Sequence, residues 1–166
     1  MDRNFSDLVD AFGEQLYGFC LRLAYSKEDA EDLLQEAFLK AMEQMPKIIA
    51  SDDPKGFLFS TAVYIWKSKR RKYARRARIA PAGPLNEEIL GDFGPEEEVL
   101  ARETADTLRG LVNELPDRLK IPVIMRYTAE MELAQIAQAL NIPVGTVKSR
   151  LHKARKIIEK GMVNQL

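Results

Sequence analysis

Apolar positions recur every three to four residues along most of the chain. Phe5, Leu8, Val9, Phe12, Leu16, Phe19, Cys20 and Leu23 form the first series, the spacing of a helix with one buried face. Ser26 then stands as an N-cap, with Asp29 in the reciprocal capping position. Ala30, Leu33, Leu34, Ala37, Phe38, Ala41 and Met45 follow as a second stripe, and Pro46 ends it. A loop is expected through Ile48 and Ile49 to Asp53. Asp53-Pro54 predicts the start of a third helix, an N-cap followed by proline at the first helical position. That helix begins apolar, with Phe57, Leu58, Thr61, Ala62 and Ile65. It ends basic, with Lys67, Lys69, Arg70, Arg71, Lys72, Arg75, Arg76 and Arg78, among which Tyr64, Trp66 and Tyr73 are interleaved.

The pattern breaks over residues 79–98, where Pro81, Pro84, Pro95, Gly83, Gly91 and Gly94 accompany acids and no base. This composition predicts a flexible acidic linker. Helical spacing resumes with Leu100, Thr104, Leu108, Leu111, Val112 and Leu115. Pro116 breaks it. A short helix carrying Leu119, Val123, Ile124 and Tyr127 follows, with Pro122 expected near its start. Leu133 to Leu140 form another, then a turn at Asn141-Ile142-Pro143 and a last helix from about Val144 to Lys160. The expected fold is all-α: two small helical domains, residues 1–78 and 99–166, joined by the linker 79–98.

Charge sharpens this picture. Lys plus Arg and Asp plus Glu both number 25, so the formal net charge is zero. The charges are nevertheless segregated, which leaves nucleic acid open as a partner. The single cysteine, Cys20, excludes an intrachain disulfide or cysteine metal cluster, and its place on an apolar face reads as core. No apolar run is long enough to span a bilayer, and the N-terminus does not read as a signal peptide. No nucleophile–base pair, phosphate-binding glycine loop or metal-ligand spacing is present, and the lone His152 has no partner ligands. No enzyme, cofactor or metal is expected.

The last two helices have a helix-turn-helix layout. Val144, Val147, Leu151, Ala154 and Ile158 should face the core. At about 100° per residue, Gly145, Ser149, His152, Lys153 and Lys156 then lie on the far side, where small and hydrogen-bonding residues fit a major groove. Gly145 lets the backbone approach DNA. Lys148, Arg150 and Arg155 on the flanks suit phosphates. In the basic end of the third helix, cations suit a backbone and rings suit unpaired bases. A linker of about 20 residues reaches roughly 60–70 Å, more than one DNA turn of about 34–36 Å.

Two stretches carry a resemblance. DAEDLLQEAFLKAME, residues 29–43, looks like the polymerase-binding helix of bacterial sigma factors. LPDRLKIPVIMRYTAEMELAQIAQALNIPVGTVKSRLHKARK, residues 115–156, resembles their C-terminal domain. Their order and the short chain resemble the extracytoplasmic-function class. The resemblance implies a cytoplasmic, non-catalytic initiation factor that binds core RNA polymerase and promoter DNA and is held by an anti-sigma factor. It implies that Asp29, Asp32, Leu33, Gln35, Glu36 and Phe38 dock on the polymerase. It implies that the segment from Met45 to Lys55 and the start of the third helix hold a flipped base of the minus-ten element. Tyr64, Trp66, Lys67, Arg70, Arg71, Lys72 and Arg75 then contact that DNA. Gly145, Thr146, Lys148, Ser149, Arg150, His152, Lys153 and Lys156 contact the minus-thirty-five element. The chain departs from the family where Tyr64 replaces a frequent Asn, where Ser68 replaces Asp or Asn, and at Met131-Glu132, which lacks the common Ser-Tyr-x-Glu pattern. The rival reading is a stand-alone helix-turn-helix regulator.

Overall fold

A computed structural model describes residues 4–24, 26–79 and 97–164. These residues form eight helices: α1 (Phe5–Leu23), α2 (Lys27–Glu43), α3 (Met45–Ala50), α4 (Pro54–Ile79), α5 (Glu97–Glu114), α6 (Asp117–Tyr127), α7 (Leu133–Leu140) and α8 (Val144–Asn164). The expected linker lies almost wholly outside the described residues.

Capping chemistry sets the first elements. Asn4 accepts from the Asp7 N–H at 2.8 Å, and the Asp7 carboxylate accepts from the Asn4 N–H at 3.1 Å, so two orphan donors of α1 are satisfied together. Ser26 caps α2 by accepting from the Asp29 N–H at 3.1 Å. Asp53 caps α4 by accepting from the Gly56 N–H at 3.0 Å, as the Asp-Pro start predicts. The expected loop after Met45 is instead the helix α3. Pro46 stops α2 yet sits in the first turn of the next helix, where its missing N–H costs nothing.

The N-terminal helices close around Leu16, Phe19, Leu33, Leu58, Phe59 and Trp66, all essentially without solvent contact. Phe19 meets Phe59 edge-on at 5.1 Å and 62°, a favoured aromatic geometry. In the C-terminal half, α6, α7 and α8 pack on one another. Leu115, Leu119, Val123 and Ala154 form a small cluster there, with Leu151 and Ile158 against it. Pro122 lies inside α6 rather than at its start, and is buried. Five positions of the expected apolar series, Val9, Thr104, Leu108, Tyr127 and Val144, are exposed, while Arg109 beside Leu108 is buried.

The two halves do not stand apart. Ile121, Ile124, Met125, Met131, Ile136 and Val147 belong to the same buried cluster as Leu16 and Phe59. The seam runs where α7 packs on α4 and α6 on α1. A bend at Thr128–Glu130 aims α7 there. Glu130 adopts a left-handed φ of 53°, and the Arg126 guanidinium donates to the Met131 carbonyl at 2.9 Å.

Candidate nucleic-acid interface

Asn141 ends α7 in a left-handed conformation, φ 55° and ψ 49°, one that Asn tolerates better than most residues. The Ile142 N–H then returns to the Ala137 carbonyl at 3.0 Å, fixing the turn into α8. Val147 and Ala154 are fully buried. Gly145, Lys148, Ser149, His152, Lys153 and Lys156 are all exposed, and Thr146 and Arg150 are half-buried. The recognition face expected from periodicity is thus an open surface. Arg155 donates to the Tyr127 hydroxyl at 3.3 Å, and that hydrogen bond raises its pKa further.

On α4 the two aromatic candidates separate. Trp66 is 1% exposed and its Nε1–H donates to the Leu23 carbonyl at 3.0 Å. It is a core residue, contrary to its expected place against DNA. Tyr64 is 71% exposed, so it does not complete the core. Two residues subtend about 200° around a helix, which sends the two rings to opposite faces. Lys67, Arg70, Arg71, Lys72 and Arg75 are exposed and make a cationic surface beyond Tyr64. The side chains of Tyr73, Arg76 and Arg78 lie outside those described.

At the other end of α4, Ser51, Asp53, Gly56, Phe57 and Ser60 line a cavity of about 100 Å³. Its far wall is Gln138 and Ala139 of α7. Phe57, Ser60, Tyr64, Lys67 and Arg71 follow one another at intervals of three and four. One face of α4 therefore runs from this cavity through the exposed ring to the cations.

The acidic face of α2 is divided by burial. Asp29 and Leu33 are buried, so these two expected docking residues belong to the interior. Phe38 is half-buried and meets Phe5 edge-on at 5.7 Å. Gln35 is exposed. Asp32 and Glu36 both pair with Lys69 of α4, the former at 3.3 Å. Sequence reading had placed Lys69 only in the basic run and missed this tie between α2 and α4. It also missed Leu39 and Met42, 60% and 52% exposed. They continue the exposed stripe Glu28, Glu31, Gln35 at helical intervals. Exposed apolar residues on an otherwise packed helix were the available signal.

Burial pushes the Cys20 thiol up to about 12, so it carries no thiolate at neutral pH. No helix among the described residues is long and apolar enough to cross a membrane.

The model for sigma-70 region 2 matches residues 8–76, and that for sigma-70 region 4 matches residues 105–158. The ECF RNA polymerase sigma factor SigW of Bacillus subtilis is 31% identical, over 94% of this chain and 87% of its own length. The ECF RNA polymerase sigma-E factor of Haemophilus influenzae is 29% identical, over 93% and 85%. Among solved structures, the sigma factor RpoE in complex with the anti-sigma factor NepR from Bartonella quintana superposes with a TM-score of 0.73, covering 95% of this chain and 96% of that one at 19% identity. The order of the two regions sets aside a stand-alone helix-turn-helix regulator. Sigma-70 region 2 ahead of sigma-70 region 4, in a chain that aligns with SigW almost end to end, places this protein in the ECF family of RNA polymerase sigma factors, which direct promoter-specific transcription initiation.

Proposed function

We propose that the exposed stripe of α2 docks on core RNA polymerase while the cationic faces of α4 and α8 hold the promoter. One observation carries this reading. The acidic stripe on α2 and the two basic surfaces are exposed on different helices, so one chain can grip the enzyme and the template at once. Glu28, Glu31 and Gln35 supply polar contacts to the polymerase, with Asp32 and Glu36 held beside them by Lys69, and Leu39 and Met42 extend them as an apolar patch. The cavity at the α3–α4 corner takes an unpaired base of the minus-ten element, and Tyr64 stacks on a neighbouring base. Lys67, Arg70, Arg71, Lys72 and Arg75 hold the backbone. Gly145, Ser149, His152, Lys153 and Lys156 face the bases of the minus-thirty-five element, with Thr146, Lys148 and Arg150 at its edge.

The chain itself performs no reaction. Opening the duplex costs a few kcal/mol per flipped base, and preference for the unpaired strand shifts the equilibrium towards the open complex. The protein acts in the cytoplasm, where the polymerase is. An anti-sigma factor is its expected regulator, since the fold matches a sigma factor solved with one.

The test is transcription in vitro with purified core polymerase on a genomic library, with start sites mapped. Discrete start sites sharing two spaced elements, seen only when the protein is added, are expected. Start sites unchanged from polymerase alone would refute the reading. So would strong operator binding without polymerase.

A further inference from the structure

The α3–α4 corner is occupied by the protein itself. Asp53 Oδ1 accepts the Gly56 N–H at 3.0 Å and also the Gln135 side-chain amide at 3.0 Å. Gln135 is not free to turn, because its Oε1 accepts the Glu132 N–H at 2.9 Å. Its Nε2–H₂ therefore faces the carboxylate. A carboxylate accepting from a planar amide N–H₂ is the arrangement by which Asp accepts from the exocyclic amine of a base such as cytosine. Gln138 and Ala139 close the adjoining cavity. One face further along α4, Arg70 donates to Asp117 Oδ2 at 3.2 Å, as it would to a phosphate oxygen.

The Arg70–Asp117 contact lies in the lining of a cleft of about 350 Å³. Lys67 and Arg70 of α4 line it from one side, and Arg118 and Arg150 from the other, over a floor that includes Pro122 and Ile142. Cations expected at two separate promoter elements thus converge on one cleft. Elements a DNA turn or more apart, about 34–36 Å, cannot be reached in this arrangement. The four facing cations are opposed within the cleft lining by Asp117 alone, so their repulsion works against closure.

We infer that α7 and the start of α6 are internal stand-ins for the unpaired DNA strand: Gln135 takes the place of a base amine at Asp53, and Asp117 that of a phosphate at Arg70. This rests on the assignment of the α3–α4 corner to the minus-ten base. The free chain is then closed to single-stranded DNA, and docking on polymerase, which draws the two halves apart, uncovers the site. Apparent affinity is lowered by the fraction of molecules that are open.

The experiment uses the full chain without polymerase. Spin labels at Asp10→Cys and Lys160→Cys, both exposed and one in each half, report the separation of the halves. A short fluorescein-labelled single-stranded DNA of randomised sequence reports binding by anisotropy. The variant Asp117→Lys with Gln135→Glu sets like charges against Arg70 and Asp53. The milder pair Asp117→Asn with Gln135→Ala removes the contacts without repulsion and serves if the first fails to fold. In the closed wild type a short label distance and weak binding are expected. In the variant the distance lengthens and affinity rises about tenfold to a hundredfold. A long distance already present in the wild type would overturn the inference, and so would opening without a gain in affinity. A parallel transcription assay with Phe57→Ala separates the two levels of the argument. If Phe57→Ala abolishes promoter opening while the opened variant binds DNA no better, the stand-in idea alone falls. If Phe57→Ala opens promoters normally, the base pocket falls and the stand-in idea with it.

Discussion

Trp66 and Tyr64 show what a single side chain contributes here and what sequence can say of it. Both are aromatic, two positions apart and next to a basic run, so composition assigns them the same role. Helix geometry does not. Trp66 seals the N-terminal core and satisfies the Leu23 carbonyl. Trp66→Ala is expected to cost about 3–5 kcal/mol in chemical denaturation. Trp66→Phe, which orphans that carbonyl, is expected to cost about 1–3 kcal/mol. Tyr64→Ala should change stability by no more than about 0.5 kcal/mol, yet remove about 1–3 kcal/mol of single-strand binding by polymerase holoenzyme. Equal effects of the two substitutions on stability would contradict the assignment. Cys20 was legible from the start, because a small residue on a regular apolar stripe has no other role to play. With its thiol pushed up to about 12 by burial, it should resist alkylation at neutral pH in the native protein and react rapidly in urea.

At the scale of elements, most helices were legible because the 3.6-residue period and the caps agree. Asn4 and Asp7 box α1, Ser26 opens α2 and Asp53-Pro54 opens α4. What failed were elements whose signal is ambiguous by nature. Pro46 ends one helix and begins another, so the six-residue α3 reads as loop. Leu108 is exposed while Arg109 beside it is buried with its head paired to Asp106 at 3.7 Å, the kind of partner a buried charge requires. The exposed face of α8 was nearly complete in the sequence, since Val147 and Ala154 fix its rotation. Lys148→Ala in α8 should therefore lower the slope of log affinity against log salt by about one unit, measured on holoenzyme with duplex promoter DNA. An unchanged slope would remove Lys148 from the phosphate contacts. On α2, Leu39→Asp should leave stability within about 0.5 kcal/mol and weaken polymerase association, read by fluorescence titration of core enzyme. Unaltered association would confine docking to the acidic part of the stripe.

For the whole molecule, the sequence carried the division into two helical regions but not the seam between them. Its contacts are long-range: Asp53 and Gln135 are 82 residues apart, and nothing local marks them as partners. Leu133, Ile136 and Leu140 have the spacing needed to support a helix-turn-helix, and the same residues also pack against the core that α4 shares. An apolar face with two uses looks, in sequence, like a face with one. The charges do separate: exposed acids lie on α2 and exposed cations cluster on α4 and α8, the surfaces that the proposed function gives to polymerase and to template. That separation is the central claim. Its most direct test is the affinity of core RNA polymerase for the variant carrying Asp32→Lys and Gln35→Lys, measured beside its thermal stability. Association is expected to fall at least about tenfold, which is 1.4 kcal/mol, while the fold is retained. Association as tight as that of the unaltered protein would contradict it.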